Sequence, residues 1–331
     1  MDRSQQPDPA ACPTGCNTTC HTSDPSLPQG RAATACACPM HARRRLGGAL
    51  LGSGALALAA GLGLGLGLGL AAGPARAEDD ECRRSNLTKL ISAEQVEQEA
   101  GQQYRMLLQQ AQSQRALAPA DNGQLQRLRY IAKRIIAYTT ACNPRAQQWR
   151  WDVNLIGSNE LNAFCMPGGK ICFYYGILSK LRLDDDEVAT IMGHEVAHAL
   201  LEHARERMGK NMATRGAIEL GAALFGLGQV GRAGADIGAK LLTLRFSRDD
   251  ESEADALGLL MSARAGYRPE AGVTLWRKMM DASRGAPPEF LSTHPSGDSR
   301  IREIEARMAR VQPEYERAAK PDRRFGPPGA A

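Results

Sequence analysis

The sequence predicts an α+β fold that is mainly helical and contains one small β-sheet. Apolar residues recur at helical spacing in several long stretches, and residues 122–140 give the clearest pattern. Helix-capping signals precede such stretches at Ser92 and at Asp184. Residues typical of strands are confined to the region 149–175.

The beginning of the chain has the features of an export signal. Residues 40–77 combine a run of arginines, a long apolar stretch and small residues at Ala75 and Ala77, which is the order found in a secretory signal peptide. We expect export to the periplasm or beyond by the Sec or the twin-arginine route, with removal of the signal. A retained membrane anchor is the alternative, although alternating glycines disfavour a stable spanning helix. Because export signals stand at the start of a chain, residues 1–39 are either a mis-called extension or a disordered leader.

Without residues 1–77, 254 residues remain, which suffice for one domain with a sizeable core. The formal net charge falls from +5 to +2, and no basic stripe with interleaved aromatic residues is present, so nucleic acid is not an expected partner. We assign residues 78–315 to a single domain and residues 316–331 to a disordered tail.

Four cysteines remain after the signal, and an even number in an exported chain indicates two disulfides. The stretch FCMPGGKICF resembles a hairpin whose four-residue turn would place Cys165 opposite Cys172. This favours the pairs Cys82–Cys142 and Cys165–Cys172 among the three possible pairings. A zinc–thiolate site is the alternative, but no C-x-x-C spacing remains to support it.

The first helices and the strands follow in order. Ser92 and Gln95 form a capping box that opens a helix of good helix formers, and a second helix covers residues 122–140. Three strands are then expected, at Trp149–Gly157, Asn162–Cys165 and Ile171–Tyr175.

Three of the six histidines lie in GHEVAHALLEH, residues 193–203. His194 and His198 are four residues apart, so on a helix their side chains lie about 40° from each other and can share one tetrahedral ion. Glu195 projects about 100° around the helix, where a general base for a metal-activated water belongs. The pattern is the H-E-x-x-H signature of metalloproteases, and the alternative is a surface helix with chance histidines.

His203 is not expected to bind the metal. In the extended form of the motif, a glycine seven residues after the first histidine breaks the helix, but Leu201 occupies that position here. We therefore expect the helix to continue through His203, which would lie about 180° around the helix from His194. This makes His203 a solvent-side or packing residue, and the third ligand must come from elsewhere.

The region 213–242 is unusually rich in glycine, with seven glycines between Gly216 and Gly238. Charged residues interrupt it, so no segment reaches the roughly 20 apolar residues that a membrane crossing needs. We expect a mobile helical flap near the site, and a surface that touches lipid is the alternative.

A candidate third ligand lies in the helix of Ser247–Tyr267, which Gly266 and Pro269 terminate. Glu251 and Asp255 share one face of this helix. Such a pair suits a His-His-Glu zinc site, in which the second carboxylate accepts the free N–H of a ligand imidazole. The alternative is an acidic first turn favoured by the helix dipole.

These motifs together resemble a known family. GHEVAHALLEH, followed some fifty residues later by SRDDESEAD, is similar to the zinc peptidases that include the HtpX, CAAX prenyl (Ste-type) and periplasmic BepA-like proteases. The resemblance extends to NAFCMPGGKICFYYGIL and FLSTHPSGDSRI and covers about residues 90–310. The chain departs from the family in two respects, because it lacks the multi-span membrane core of some members and the tetratricopeptide domain of the longer periplasmic ones.

The resemblance implies a zincin-type (gluzincin) fold with the small sheet next to the active-site helix, and one Zn²⁺ per chain. The family pattern E-x-x-A-D matches Glu251, not Glu253, so the implied ligands are His194, His198 and Glu251. Asp255 would orient one of the ligand imidazoles.

The resemblance also implies functional roles in and near the cleft. Glu195 would act as the catalytic base. His294, in STHPSGD, would stabilise the oxyanion or serve as a fourth ligand in a resting form, and Arg300 would help to position substrate. Independently of the resemblance, we expect the strand around Asn162–Cys165 to pair with an extended peptide by strand addition, with Asn162 and Ala163 as candidate substrate contacts.

The predicted function is that of an exported zinc-dependent endopeptidase that cleaves unfolded or misassembled envelope proteins. Such polypeptides are the expected partners, with peripheral contact to a membrane as a further expectation. The alternative is a periplasmic chaperone or assembly factor with little proteolytic activity.

Overall fold

A computed structural model describes most of the chain after the expected signal. The described residues are 82–224, 241, 244–283, 288–295 and 297–329. The expected leader, the signal peptide and the larger part of the glycine-rich region lie outside these residues. Within them, every helix falls short of the combined length and apolar character that a membrane crossing requires.

The described part begins with three helices, of which the second is capped at Ser92 as predicted. A short 3₁₀ helix, Asn86–Leu90, precedes α1 (Ala93–Ser113) and α2 (Gly123–Ile136). The Ser92 side chain accepts a hydrogen bond from the Gln95 N–H at the start of α1. α2 buries the apolar residues of one face in the main core, which are Leu125, Leu128, Ile131 and Ile135.

The predicted sheet is present and has three strands: β1 (Asp152–Ile156), β2 (Ala163–Met166) and β3 (Lys170–Tyr174). The order is β1-β3-β2, with β1 parallel and β2 antiparallel to β3. Among the described residues, β2 therefore forms one edge of the sheet.

The disulfide prediction is half right. Cys82 and Cys142 are bonded, as expected, whereas Cys165 and Cys172 are free and buried. The pairing of Cys165 with Cys172 is wrong because the turn is one residue shorter than expected, so that Cys172 lies opposite Phe164 instead. A shift of one residue moves a side chain to the other face of the sheet, which separates the two thiols.

The turn is short because Gly168 and Gly169 adopt φ angles of 82° and 75°. This left-handed region is open to glycine at little steric cost. The chain therefore reverses between Met166 and Lys170, which face each other across the hairpin.

The helices after the sheet surround one buried helix. They are α3 (Tyr175–Lys180), α4 (Asp185–Leu200), α5 (His203–Leu224), α6 (Arg248–Arg264), α7 (Ala271–Ala282), α8 (Glu289–Thr293) and α9 (Asp298–Arg317). α4 begins at the predicted capping box of Asp184 and Glu187, and all of its residues are buried. α6 packs directly on α4 because Gly193 and Gly258 allow the two backbones to touch; a Cβ on Gly193 would lie 2.5 Å from the Gly258 carbonyl oxygen.

The expected continuation of α4 through His203 is wrong. α4 ends at Leu200, and Glu202 adopts a φ of 60° before α5 begins at His203. Tertiary contacts hold this left-handed corner: Asn143 donates to the Leu200 carbonyl at 2.9 Å, and Arg205 forms hydrogen bonds with the Glu202 carboxylate at 2.9 and 3.0 Å. The corner places His203 beside α4 rather than on the far side of a continuous helix.

The end of the chain also differs from the expected disordered tail of residues 316–331. α9 continues to Arg317, and the following segment lies against the start of α4. The Phe325 and Gly326 N–H groups donate to the Asp185 carboxylate at 2.7 and 3.2 Å, and Arg324 pairs with Asp186 at 2.8 Å. These long-range bonds hold residues 324–326 against the start of α4.

Candidate metal centre

Four buried side chains bring their donor atoms together between α4, α6 and the end of α8. They are His194, His198, Glu251 and His294, whose candidate ligand atoms all lie within 4.8 Å of one another. His194 Nε2 lies 3.0 Å from His198 Nε2, and His294 Nδ1 lies 3.0 Å from Glu251 Oε1. Ligand atoms at about 2.0–2.1 Å from a tetrahedral zinc ion would be about 3.3 Å apart, so the spacing fits a metal site.

The protonation of His194 strengthens this fit. Its Nδ1 lies 3.0 Å from Asp255 Oδ1, so in the neutral ring the Nδ1–H donates to that carboxylate and Nε2 carries a lone pair. That lone pair faces His198 Nε2 at 3.0 Å and His294 Nδ1 at 3.2 Å. Nitrogen atoms that converge in this way repel one another unless a cation or a proton lies between them. The donor set of imidazoles and one carboxylate is one that zinc and other first-row transition metals bind.

Glu195 lies beside the four donors, as its position on α4 predicts. It is buried, and its Oε1 has no hydrogen-bond partner among the described residues. Burial raises the pKa of Glu195 to about 7. A carboxylate with a free oxygen and a pKa near neutrality suits a group that takes up and releases a proton.

Asp255 and Arg300 form the layer behind the ligands. The Arg300 guanidinium forms a bidentate pair with Asp255 at 2.5 and 2.8 Å, and it lies 2.5 Å from Glu251 Oε2. Burial alone would raise the pKa of Asp255, but the charge of Arg300 and the bond from His194 lower it overall. Asp255 therefore stays ionised and holds the His194 ring in place.

Arg300 does not face the cleft. It is buried, and its guanidinium carbon lies 3.6 Å from the centre of the Trp276 ring. This placement favours a role in fixing the carboxylates over the expected contact with substrate.

His294 approaches the cluster from the C-terminal end of α8. Its N–H donates to the Phe290 carbonyl at 2.9 Å, and its ring stacks on the Phe290 ring with centroids 4.5 Å apart. His294 Nε2 lies 3.4 Å from Glu195 Oε1. One ring thus touches both the ligand cluster and the candidate base.

The edge strand β2 borders the cleft next to the cluster. The cleft is lined by Asn162, Ala163, Cys165, Glu195, His198 and His294, together with apolar side chains that include Met166, Leu244 and Phe246. Asn162 and Ala163, the candidate substrate contacts, are therefore part of the cleft lining. The side chain of Asn162 accepts a hydrogen bond from the Ala163 N–H at 2.9 Å.

Two aromatic residues in the site were not anticipated. Phe246 stacks on His198, with ring centroids 4.1 Å apart, and His203 Nδ1 lies 2.8 Å from His198 Nδ1. Nothing local in the sequence distinguishes Phe246 from a core residue. The spacing of His203 pointed away from the site because it assumed a continuous helix.

Comparison with known proteins agrees with this geometry. Residues 122–308 match the sequence model described as "Peptidase family M48". The chain is 39% identical over 150 residues to "Mitochondrial metalloendopeptidase OMA1" of Arabidopsis thaliana, which is 45% of this chain and 30% of the relative. It is 36% identical over 186 residues to the protein of the same name from Schizosaccharomyces pombe, covering 55% of this chain and 52% of the relative. It is 29% identical over 169 residues to the "Beta-barrel assembly-enhancing protease" of Yersinia pestis, covering 48% and 35%. The matches thus span between 30% and 52% of the relatives' lengths.

Proposed function

We propose that this chain, which belongs to peptidase family M48, is an exported zinc-dependent endopeptidase that cleaves unfolded or misassembled envelope proteins. The observation that carries the proposal is the free Oε1 of Glu195, buried next to three imidazoles and a carboxylate. A buried oxygen without a partner is costly for a fold and is expected where a reaction needs it.

Each residue of the site has its own role in peptide hydrolysis. His194, His198 and Glu251 would hold the zinc ion, which supplies Lewis acidity and lowers the pKa of water towards neutrality. Glu195 accepts the proton of the attacking water and passes it to the leaving amine nitrogen. His294 Nε2 lies next to this carboxylate. From there it would donate a hydrogen bond to the oxyanion that develops at the scissile carbonyl.

The open edge of β2 would bind an extended substrate. The Asn162 carbonyl accepts from the Tyr174 N–H, so Asn162 and Phe164 direct their backbone groups towards β3. Pairing alternates along an antiparallel strand, so the backbone groups of Ala163 and Cys165 point to the other side. The Ala163 N–H is already bonded to the Asn162 side chain, and the Cys165 N–H donates to the Glu195 carboxylate, so the groups that remain for strand addition are the Ala163 and Cys165 carbonyls.

A strand edge that binds the backbone of a peptide rather than its side chains favours unfolded polypeptides as substrates. This agrees with a role in quality control, and the relative named as an assembly-enhancing protease supports the cell envelope as the place of action. The export signal predicted from the sequence supports the same location. The relatives named as mitochondrial metalloendopeptidases support the activity itself.

A casein digest tests the proposal. Wild-type protein should degrade casein, and Glu195→Gln should lower the rate by about 10²- to 10⁴-fold, because the amide cannot accept the proton. Glu305→Gln is the matched control, since Glu305 is half-exposed and pairs with Arg277 away from the cluster. If both proteins are inactive with metal bound, the protein is instead the chaperone or assembly factor. Equal cleavage by the wild type and Glu195→Gln would contradict the role of Glu195 and with it the proposed mechanism.

A further inference from the structure

We infer that His203 is a positioning residue for the metal ligand His198. The two rings contact each other through their Nδ1 atoms at 2.8 Å, and His203 Nε2 lies 3.2 Å from Glu253 Oε2. A chain of three side chains thus leads from the metal centre to an exposed carboxylate. The inference rests on the metal site of the proposed function and adds to it a residue outside the H-E-x-x-H motif.

The contacts determine where the protons lie. His198 Nε2 belongs to the ligand cluster, 3.4 Å from Glu251 Oε1, and must offer a lone pair to a metal ion. A neutral His198 then carries its proton on Nδ1, which donates to His203 Nδ1. A neutral His203 consequently carries its proton on Nε2, which donates to Glu253. One tautomer at each histidine satisfies all of these contacts, and it is the tautomer that metal binding needs.

Packing fixes the same orientation. His198 is held on its ring face by Phe246 and on its Nδ1 edge by His203, and both histidines are almost fully buried. Water therefore has little access to replace the bond that His203 provides. Partners of this kind fix the tautomer and the ring orientation of ligand histidines.

The left-handed corner at Glu202 makes the contact possible. On a continuous helix each residue advances by about 100°, so His203 would lie on the side of the helix away from the metal. The φ of 60° at Glu202 turns the chain so that His203 lies against His198. This conformation is unfavourable for a non-glycine residue, and Arg205 and Asn143 hold the corner in place.

Metal affinity separates positioning from simple packing. In the full chain, His203→Leu keeps a similar volume but removes the acceptor, whereas His203→Asn keeps an acceptor oxygen near the place of Nδ1. The Zn²⁺ dissociation constant, measured by competition with a chromophoric chelator, should rise 10- to 100-fold in His203→Leu and stay within about threefold of wild type in His203→Asn. The visible absorption of the Co²⁺-loaded protein should change in His203→Leu, because the His198 ring is free to rotate, and should be restored in His203→Asn.

Thermal unfolding of the metal-free proteins provides the control for folding. Equal Zn²⁺ affinity in His203→Leu and wild type overturns the inference, and so does an equal loss in the Leu and Asn variants. If His203→Leu does not fold, variants of Glu253, the exposed carboxylate that His203 contacts, provide the test. Glu253→Ala should weaken Zn²⁺ binding about threefold, and Glu253→Gln should not. Unchanged affinity in Glu253→Ala overturns the inference. Failure of the wild type to bind Zn²⁺ would instead contradict the proposed function.

Discussion

The two halves of the central helix α4 differ in how their buried polar groups are paired. In the first half, every carboxylate of the acidic turn has a cation. Asp185 pairs with Arg127 at 2.6 Å, and Glu187 pairs with Lys278 at 2.6 Å. Asp186 is bound by Arg268 and Arg324, each at 2.8 Å.

In the second half, the polar groups face one another. The imidazoles of His194 and His198 converge at 3.0 Å, and Glu195 Oε1 accepts no hydrogen bond from the described residues, with His294 Nε2 3.4 Å away. Satisfied buried groups stabilise a fold, whereas groups left with free bonds indicate a ligand or a reaction. The comparison therefore separates the structural end of α4 from its chemical end, and variants at each end should affect different measurements.

Arg127→Met should have the largest effect on stability. It leaves Asp185 charged and buried with only backbone donors, which costs about 3–5 kcal/mol of unfolding free energy. Urea unfolding measures this loss, and the double variant with Asp185→Asn should recover part of it. Zn²⁺ affinity of the folded fraction should not change, so a large loss of affinity would show that the two ends of α4 are not independent.

After Glu195→Gln, His294→Ala should have the largest effect on turnover among the variants that keep the proposed ligands His194, His198 and Glu251. If His294 acts as an oxyanion donor, its loss lowers kcat by about 10²- to 10³-fold. The rate of casein cleavage at saturating Zn²⁺ measures this effect. A higher rate in the variant would show that His294 mainly blocks the site as a fourth ligand, as an occupied position does in structural zinc sites.

Arg300→Met should weaken metal binding at the chemical end of α4, because Arg300 lies behind the ligands. It removes the cation that holds Glu251 and Asp255, so Zn²⁺ affinity should fall about 10- to 100-fold. Calorimetric titration of metal-free protein measures this change. Arg127→Met serves as the matched variant, because it removes a buried arginine of the other end, and a similar loss of affinity in both variants would argue against specific positioning.

Asp186→Asn should give the smallest effect, and it depends on pH. Burial would raise the pKa of Asp186, but the bonds and charges of Arg324 and Arg268 lower it below its ordinary value. A carboxylate with a lowered folded-state pKa stabilises the protein above its unfolded-state pKa, and this contribution is lost as the pH falls through the folded-state value. At pH 7 the variant should be less stable by about 1 kcal/mol, a modest value because both arginines are about half-exposed. The difference should vanish in urea unfolding at acid pH, and a constant difference at all pH values would contradict the ion-pair explanation.

The parts of the site that depend on local spacing could be predicted from the sequence. The four-residue separation of His194 and His198 on a capped helix fixed their shared face, and Glu195 followed from the same geometry. Glu251 needed the family resemblance, because an acidic first turn is common in helices without any metal.

The parts that depend on distant contacts could not be predicted. No glycine marks the corner at Glu202 in the sequence. Hydrogen bonds from Asn143 and Arg205 stabilise it instead. The register that separates Cys165 from Cys172 depended on one residue of turn length. The order of the C-terminal segment depends on Asp185, about 140 residues earlier.

Metal content of the purified full chain tests the central claim most directly. The account predicts about one zinc per chain in the wild type and in Asp186→Asn, and none in Glu251→Ala, since only the last removes a ligand. Elemental analysis after gel filtration gives these values for folded protein. Absence of metal from a wild type that has been offered zinc, or equal zinc in Glu251→Ala, would contradict the assignment of the chemical end of α4 to a metal centre.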